Sequence, residues 1–117
     1  MQVPLLDLKK QYQVYKEEVI REINEIAEAQ YFINGPKVDK VEKELAAYCE
    51  SNFALGVSSG SDALIISLMA ENISAGDEVI CPTFTFFATA GAIHRVGAKT
   101  VFCDSKVDSF NMDPVSI

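Results

Sequence analysis

The 117-residue sequence has no tryptophan, one histidine, three cysteines and four prolines, and it is short of positive charge. Each shortage removes a class of function. Cys49, Cys81 and Cys103 are odd in number, far apart and without Cys-x-x-Cys spacing. That argues against a disulfide framework or a zinc site and suits a reducing cytoplasm. His94 is the single imidazole, so a transition-metal site or a serine–histidine–aspartate arrangement lacks its second oriented partner. Ten Lys and Arg stand against 17 Asp and Glu, a net charge of −7. Such a surface repels phosphate backbones and anionic headgroups, so neither nucleic acid nor a membrane is an expected partner. Long apolar runs are missing too. Val79 to His94 carries no Asp, Glu, Lys or Arg, but it is shorter than the ~20 residues of a spanning helix, and Pro82 and Gly91 interrupt it. The opening MQVPLLDLKKQ has no signal-peptide apolar core.

What is present is ordinary globular material, 49% hydrophobic and 23% charged. Tyr12, Tyr15, Val19, Ile23 and Ile26 recur at helical spacing, which predicts one amphipathic helix over about Leu8 to Gln30. Asn34 and Gly35 read as a turn, with Pro36 suited to the first position of a second helix. Val38, Val41, Leu45 and Tyr48 give that helix its stripe, and it is expected to end near Glu50.

The texture then changes. Ala54 to Val57 reads as a short strand, Ser61 to Asn72 as a helix, and GDEVICP as a strand stopped by Pro82. Thr83 to Gly97 reads as a helix, and AKTVFCD as a third strand. Strand and helix alternating at this spacing predict parallel βαβ units of an α/β fold. Residues 1–52 are therefore expected to form a helical segment, and 53–117 the start of an α/β domain. Asp113 before Pro114 is a good N-cap pair for one more helix, with three residues after it, which reads as a fragment of something longer.

The stretch SSGSDA falls between the first expected strand and its helix. In parallel α/β architecture that is where unpaired helix amides and the dipole's positive end meet ligands. Gly60 would allow close approach, Ser59 and Ser61 could donate hydroxyls, and the amides of Ser61, Asp62 and Ala63 would face outward as a phosphate cup. The same residues are also simply good capping chemistry, with Ser59 or Ser61 as N-cap. The pattern is neither a P-loop nor a Gly-x-Gly-x-x-Gly fingerprint. Phe84, Phe86 and Phe87 follow the second strand; such clusters are ordinarily core, yet an aromatic face beside a phosphate cup is what a flat phosphorylated ring requires.

Five segments together resemble the DegT/DnrJ/StrS family of pyridoxal-phosphate-dependent nucleotide-sugar aminotransferases: PLLDLKKQY, FINGPKVDKVEKELAAYC, GVSSGSDALIISLMA, GDEVICPTFTFFATAGAI and GAKTVFCDSKVDSFNMDP. They stand in the family's order and cover nearly the whole chain. The resemblance implies the N-terminal part of the large domain of the aspartate-aminotransferase fold (fold type I), three-layered with a mainly parallel sheet. It implies a homodimer, and amino transfer, with glutamate as donor, to a nucleotide-linked keto-sugar for polysaccharide, lipopolysaccharide or glycan synthesis. It makes the serine turn the cup for pyridoxal 5'-phosphate, through Gly60, Ser61 and Asp62, mainly by the amides of Ser61 and Asp62. Phe86 falls where the family stacks an aromatic residue on the pyridine ring, and Asn34 and Gly35 fall near the sugar-nucleotide entrance. The family's Schiff-base lysine and the acid paired with the ring nitrogen lie downstream of these motifs. Lys99 and Lys106 match no family lysine, so these 117 residues alone are expected to be inactive. Two rivals remain: a truncated, non-catalytic family member, and a small α/β regulatory or interaction module.

Overall fold

The structure, a computed structural model, describes residues 3–117. The chain divides into two compact units, Met1–Gly56 and Val57–Ile117.

The first unit holds two helices, α1 (Lys9–Ala29) and α2 (Pro36–Tyr48). The residues of their expected apolar stripes are largely exposed in this chain, Ile23 at 58% and Leu45 at 50%, and Tyr12 and Tyr15 meet edge to face with ring centroids 5.9 Å apart. Lys37, in the first turn of α2, reaches Glu25 of α1 at 2.6 Å and also pairs with Glu22. The intervening turn is tightly built. Asn34 takes the left-handed conformation (φ 48°), and Gly35 lies so close to Tyr31 that an added Cβ would stand 2.8 Å from its carbonyl oxygen. Helix α2 closes with Glu50 left-handed (φ 52°) and the Ser51 amide donating to the Ala46 carbonyl at 2.9 Å. That is a Schellman ending, for which glycine is the usual residue.

The expected strand over Ala54–Val57 does not form. The stretch has no ladder partner among the described residues. A strand is defined by its pairing, and here a side chain takes an amide that pairing would use: Gly56 N donates to Glu42 Oε1 at 2.7 Å.

The second unit runs α3 (Gly60–Ala70), β1 (Glu78–Pro82), α4 (Phe87–Arg95) and β2 (Lys99–Cys103). The strands pair in parallel, with Glu78 opposite Lys99 and Pro82 opposite Cys103, as the βαβ reading predicts. The Lys99 ammonium sits 2.6 Å from Glu78 across that first register pair. Helix α4 packs on both strands and α3 packs against α4. The core lies where they meet: Cys81 and Ile93, 0% and 3% exposed, with Ala98, flanked by Leu68, Ile73, Val79, Ala90 and Val96. Helix α3 ends by putting Asn72 left-handed and returning the Ile73 amide to the Leu68 carbonyl at 3.0 Å. The two residues joined there both face the core. Gly97 stops α4 as expected, at φ 84°.

Two boundaries differ from the sequence reading. Helix α4 starts at Phe87 rather than Thr83, because the Thr83 amide continues the sheet ladder to the Cys103 carbonyl at 3.1 Å. Asp113–Pro114 makes a turn instead of a helix. The Val115 amide donates to Asp113 Oδ1 and the Ser116 amide to the Asp113 carbonyl, each at 3.0 Å. The Ser116 hydroxyl then accepts from the Asp104 amide at 3.0 Å and ties the turn to the end of β2.

Candidate functional site

The serine turn becomes the first turn of α3, with Ser59 as N-cap. Ser59 Oγ accepts from the Asp62 amide at 3.1 Å, and the first intrahelical bond runs from the Ala63 amide to the Ser59 carbonyl at 3.0 Å. The capping expectation therefore holds, and it limits which atoms of the turn a cup could still offer. The Asp62 and Ala63 amides, expected to point outward, are used by the cap and the helix. The amides of Gly60 and Ser61 precede the first intrahelical donor, Ala63, and have no partner among the described residues.

The hydroxyls divide in the same way. Ser58 and Ser59 both donate to Asp62 Oδ2, Ser59 at 2.9 Å. These bonds hold the Asp62 carboxyl below its ordinary pKa, the larger effect coming from Ser58 and then Ser59, with the Arg95 guanidinium adding to it. Asp62 is thus ionised at neutral pH. Ser61 is the turn's uncommitted hydroxyl, and it faces a cavity.

That cavity, about 420 Å³, lies between α3 and α4. Ser61 and Ile65 line it from α3, one turn apart; Phe87, Gly91 and Arg95 line it from α4, spaced by four; Phe86, the N-cap of α4, lines it as well. Phe86 and Phe87 are 79% and 83% exposed in this chain and form an aromatic wall to the cavity, which Phe84 does not line. Gly91 makes that wall possible, since a Cβ there would meet the Phe87 ring at 3.3 Å. Of the residues expected to hold the cofactor, the fold brings Ser61 and Phe86 to one cavity and sets Gly60 and Asp62 on the same helical turn as Ser61. Asn34 and Gly35 belong to the other unit.

Gly60 is the informative residue. Its φ is not left-handed, and a Cβ added to it would meet nothing within 4 Å. Neither backbone conformation nor packing inside this chain calls for glycine, which costs stability in a helix. Gly35, by contrast, is explained by its contact with Tyr31. The space a Cβ would fill at Gly60 lies beside two unpaired amides, which is the cradle an anion needs.

Sequence reasoning passed over Arg95. Its signal was there in the Phe87, Gly91, Arg95 spacing, which puts the guanidinium on the same helix face as the aromatic ring. Among the described residues no cluster of metal-ligating side chains occurs, and no helix is long and apolar enough to cross a membrane.

Residues 13–117 match the family model of the DegT/DnrJ/EryC1/StrS aminotransferase family. The pleiotropic regulatory protein of Geobacillus stearothermophilus is 46% identical over all of this chain and 32% of its own length. The dTDP-3-amino-3,6-dideoxy-alpha-D-galactopyranose transaminase of Aneurinibacillus thermoaerophilus is 36% identical over 98% of this chain and 32% of its own. Among solved structures, NtdA from Bacillus subtilis with bound cofactor PMP superposes with a TM-score of 0.93 at 31% identity, covering 99% of this chain and 27% of that one. The chain spans about a third of the length of the curated relatives it matches.

Proposed function

The chain belongs to the DegT/DnrJ/EryC1/StrS aminotransferase family, and on that premise we propose that it takes part in pyridoxal-phosphate-dependent transfer of an amino group to a nucleotide-linked keto-sugar. Its α/β fold is that of the fold type I aminotransferases. The amino donor in this reading is glutamate, the working form is a cytoplasmic homodimer, and the amino-sugar product serves polysaccharide, lipopolysaccharide or glycan synthesis.

When bound, the cofactor supplies the electron sink on which amino transfer depends. The residues of this chain bind and orient it. The Gly60 and Ser61 amides and the Ser61 hydroxyl take the phosphate, Asp62 fixes the turn through Ser58 and Ser59, and Phe86 faces the ring. The Asn34–Gly35 turn is assigned, in the same reading, to the sugar-nucleotide entrance. The supporting observation is Gly60, a helical glycine whose missing side chain leaves open space beside two free amides.

The test is equilibrium dialysis of pyridoxal phosphate against the chain, with phosphate-free pyridoxal as control. Retention of the phosphorylated form at least about tenfold tighter is expected from two or more charge-assisted hydrogen bonds. Equal retention of both compounds would sink the cofactor reading. A protein carrying this chain, supplied with the cofactor, glutamate and a keto-sugar nucleotide, is expected to release 2-oxoglutarate.

A further inference from the structure

We infer that Arg95 is a second anchor for the cofactor's phosphate, reaching from α4 across the cavity that Ser61 enters from α3. The inference rests on the cofactor reading and adds to it a residue outside the serine turn.

Charge at the site calls for such a group. The chain carries −7 overall, and Asp62, one residue from the free Ser61 amide, is ionised. A phosphate brought to that turn meets a fixed negative charge held in place by two serine hydroxyls. The two free amides and the helix dipole amount to about half a positive charge, too little to offset both a carboxylate and a phosphate dianion. A further cation close by would restore the balance.

The cavity contains that cation. No Asp or Glu lines it, whereas Arg95 and His94 do. The second unit has three Lys or Arg, namely Arg95, Lys99 and Lys106. Lys99 is occupied by Glu78. Arg95 makes no ion pair among the described residues, yet it shares the cavity with the Ser61 hydroxyl and acts on the Asp62 carboxyl through space. Its guanidinium offers forked donors suited to phosphate oxygens. An aromatic wall at Phe86, a hydroxyl at Ser61 and a guanidinium at Arg95 together fit a flat ring bearing an anionic arm. An all-apolar ligand would leave the guanidinium without a partner.

The experiment compares the parent chain with Arg95→Met and Arg95→Lys, each titrated with pyridoxal phosphate and with pyridoxal, after circular dichroism shows equal helix content. Arg95→Met is expected to weaken pyridoxal phosphate about tenfold, leave pyridoxal unchanged and flatten the salt dependence. Arg95→Lys, which keeps the charge but not the fork, is expected to lose less. Unchanged binding of pyridoxal phosphate by Arg95→Met would overturn the inference while leaving the cofactor reading intact. A parent that does not prefer the phosphorylated compound fails the cofactor reading itself. Repeating Arg95→Met in an Asp62→Asn background separates direct contact from mere neutralisation of Asp62. A persisting loss supports the anchor, and a vanished one overturns it.

Discussion

Ser59 and Asp62 bond to each other twice: the Asp62 amide donates to Ser59 Oγ at 3.1 Å, and the Ser59 hydroxyl donates back to Asp62 Oδ2 at 2.9 Å. The pair locks the first turn of α3, and by using these two groups it defines which others remain for a ligand.

Replacing Ser59 with alanine removes the cap. Thermal or urea unfolding is expected to show a loss of about 1 kcal/mol, the usual cost of deleting a serine N-cap. The Asp62 carboxyl is expected to titrate closer to its ordinary range, because one of the two hydroxyls that depress it is gone. Carbon-detected NMR titration of Asp62 reads this directly, and an unmoved midpoint would contradict the role given to Ser59.

Gly60→Ala is expected to separate stability from binding. An alanine Cβ meets nothing within 4 Å, so unfolding should show stability unchanged or raised by up to about 1 kcal/mol. Affinity for pyridoxal phosphate should fall, because the methyl group occupies the approach to the amides. A variant both more stable and equally able to bind would show that the cradle is not used.

Cys49 is exposed, whereas Cys81 and Cys103 are buried. Burial also pushes the Cys81 thiol above its ordinary pKa, with Cys103 contributing, so less of it is thiolate. A thiol reagent at neutral pH is expected to modify one cysteine per folded chain quickly and all three after denaturation. Peptide mapping should place the fast adduct on Cys49.

Ile93 sits at the centre of a small core, 3% exposed. Ile93→Ala is expected to cost about 2–4 kcal/mol and, with so few other buried side chains to compensate, to abolish cooperative unfolding of the second unit.

The ion pairs of Lys37 predict a pH window. Lys37 is held above its ordinary pKa by hydrogen bonds to Glu22 and then Glu25, and Glu22 is held below its own by Lys37. A raised lysine stabilises fully below its unfolded pKa and loses that contribution as pH rises through the folded one. A depressed glutamate stabilises above its unfolded pKa and loses that contribution as pH falls through the folded one. The contribution is therefore expected to be level from about pH 5 to about pH 10 and to shrink with added salt, since all three groups face solvent. Lys37→Met should remove both limbs of the profile.

Much of the fold was legible because period and punctuation agreed. Helix α1, the Pro36 start of α2, the Gly97 stop and the parallel pairing of β1 with β2 all follow from local pattern. The misses came where one hydrogen bond outweighed propensity. Glu42 took the Gly56 amide, Cys103 took the Thr83 amide, and Asp113 capped a turn rather than a helix. The cup was legible as a segment but not amide by amide, since sequence cannot tell which serine becomes the cap and which stays free. Arg95 was not legible, because ligands of parallel α/β sheets are expected at strand ends and Arg95 lies in the last turn of α4.

Among the described residues each strand of the β1–β2 pair is hydrogen-bonded along one side, and on both strands an apolar side chain, Ile80 and Phe102, faces solvent. Open ladder edges of this kind accept backbone from whatever strand arrives next. A concentrated solution of these residues is thus expected to turn turbid by edge-to-edge pairing while a dilute one stays clear, which light scattering against concentration checks.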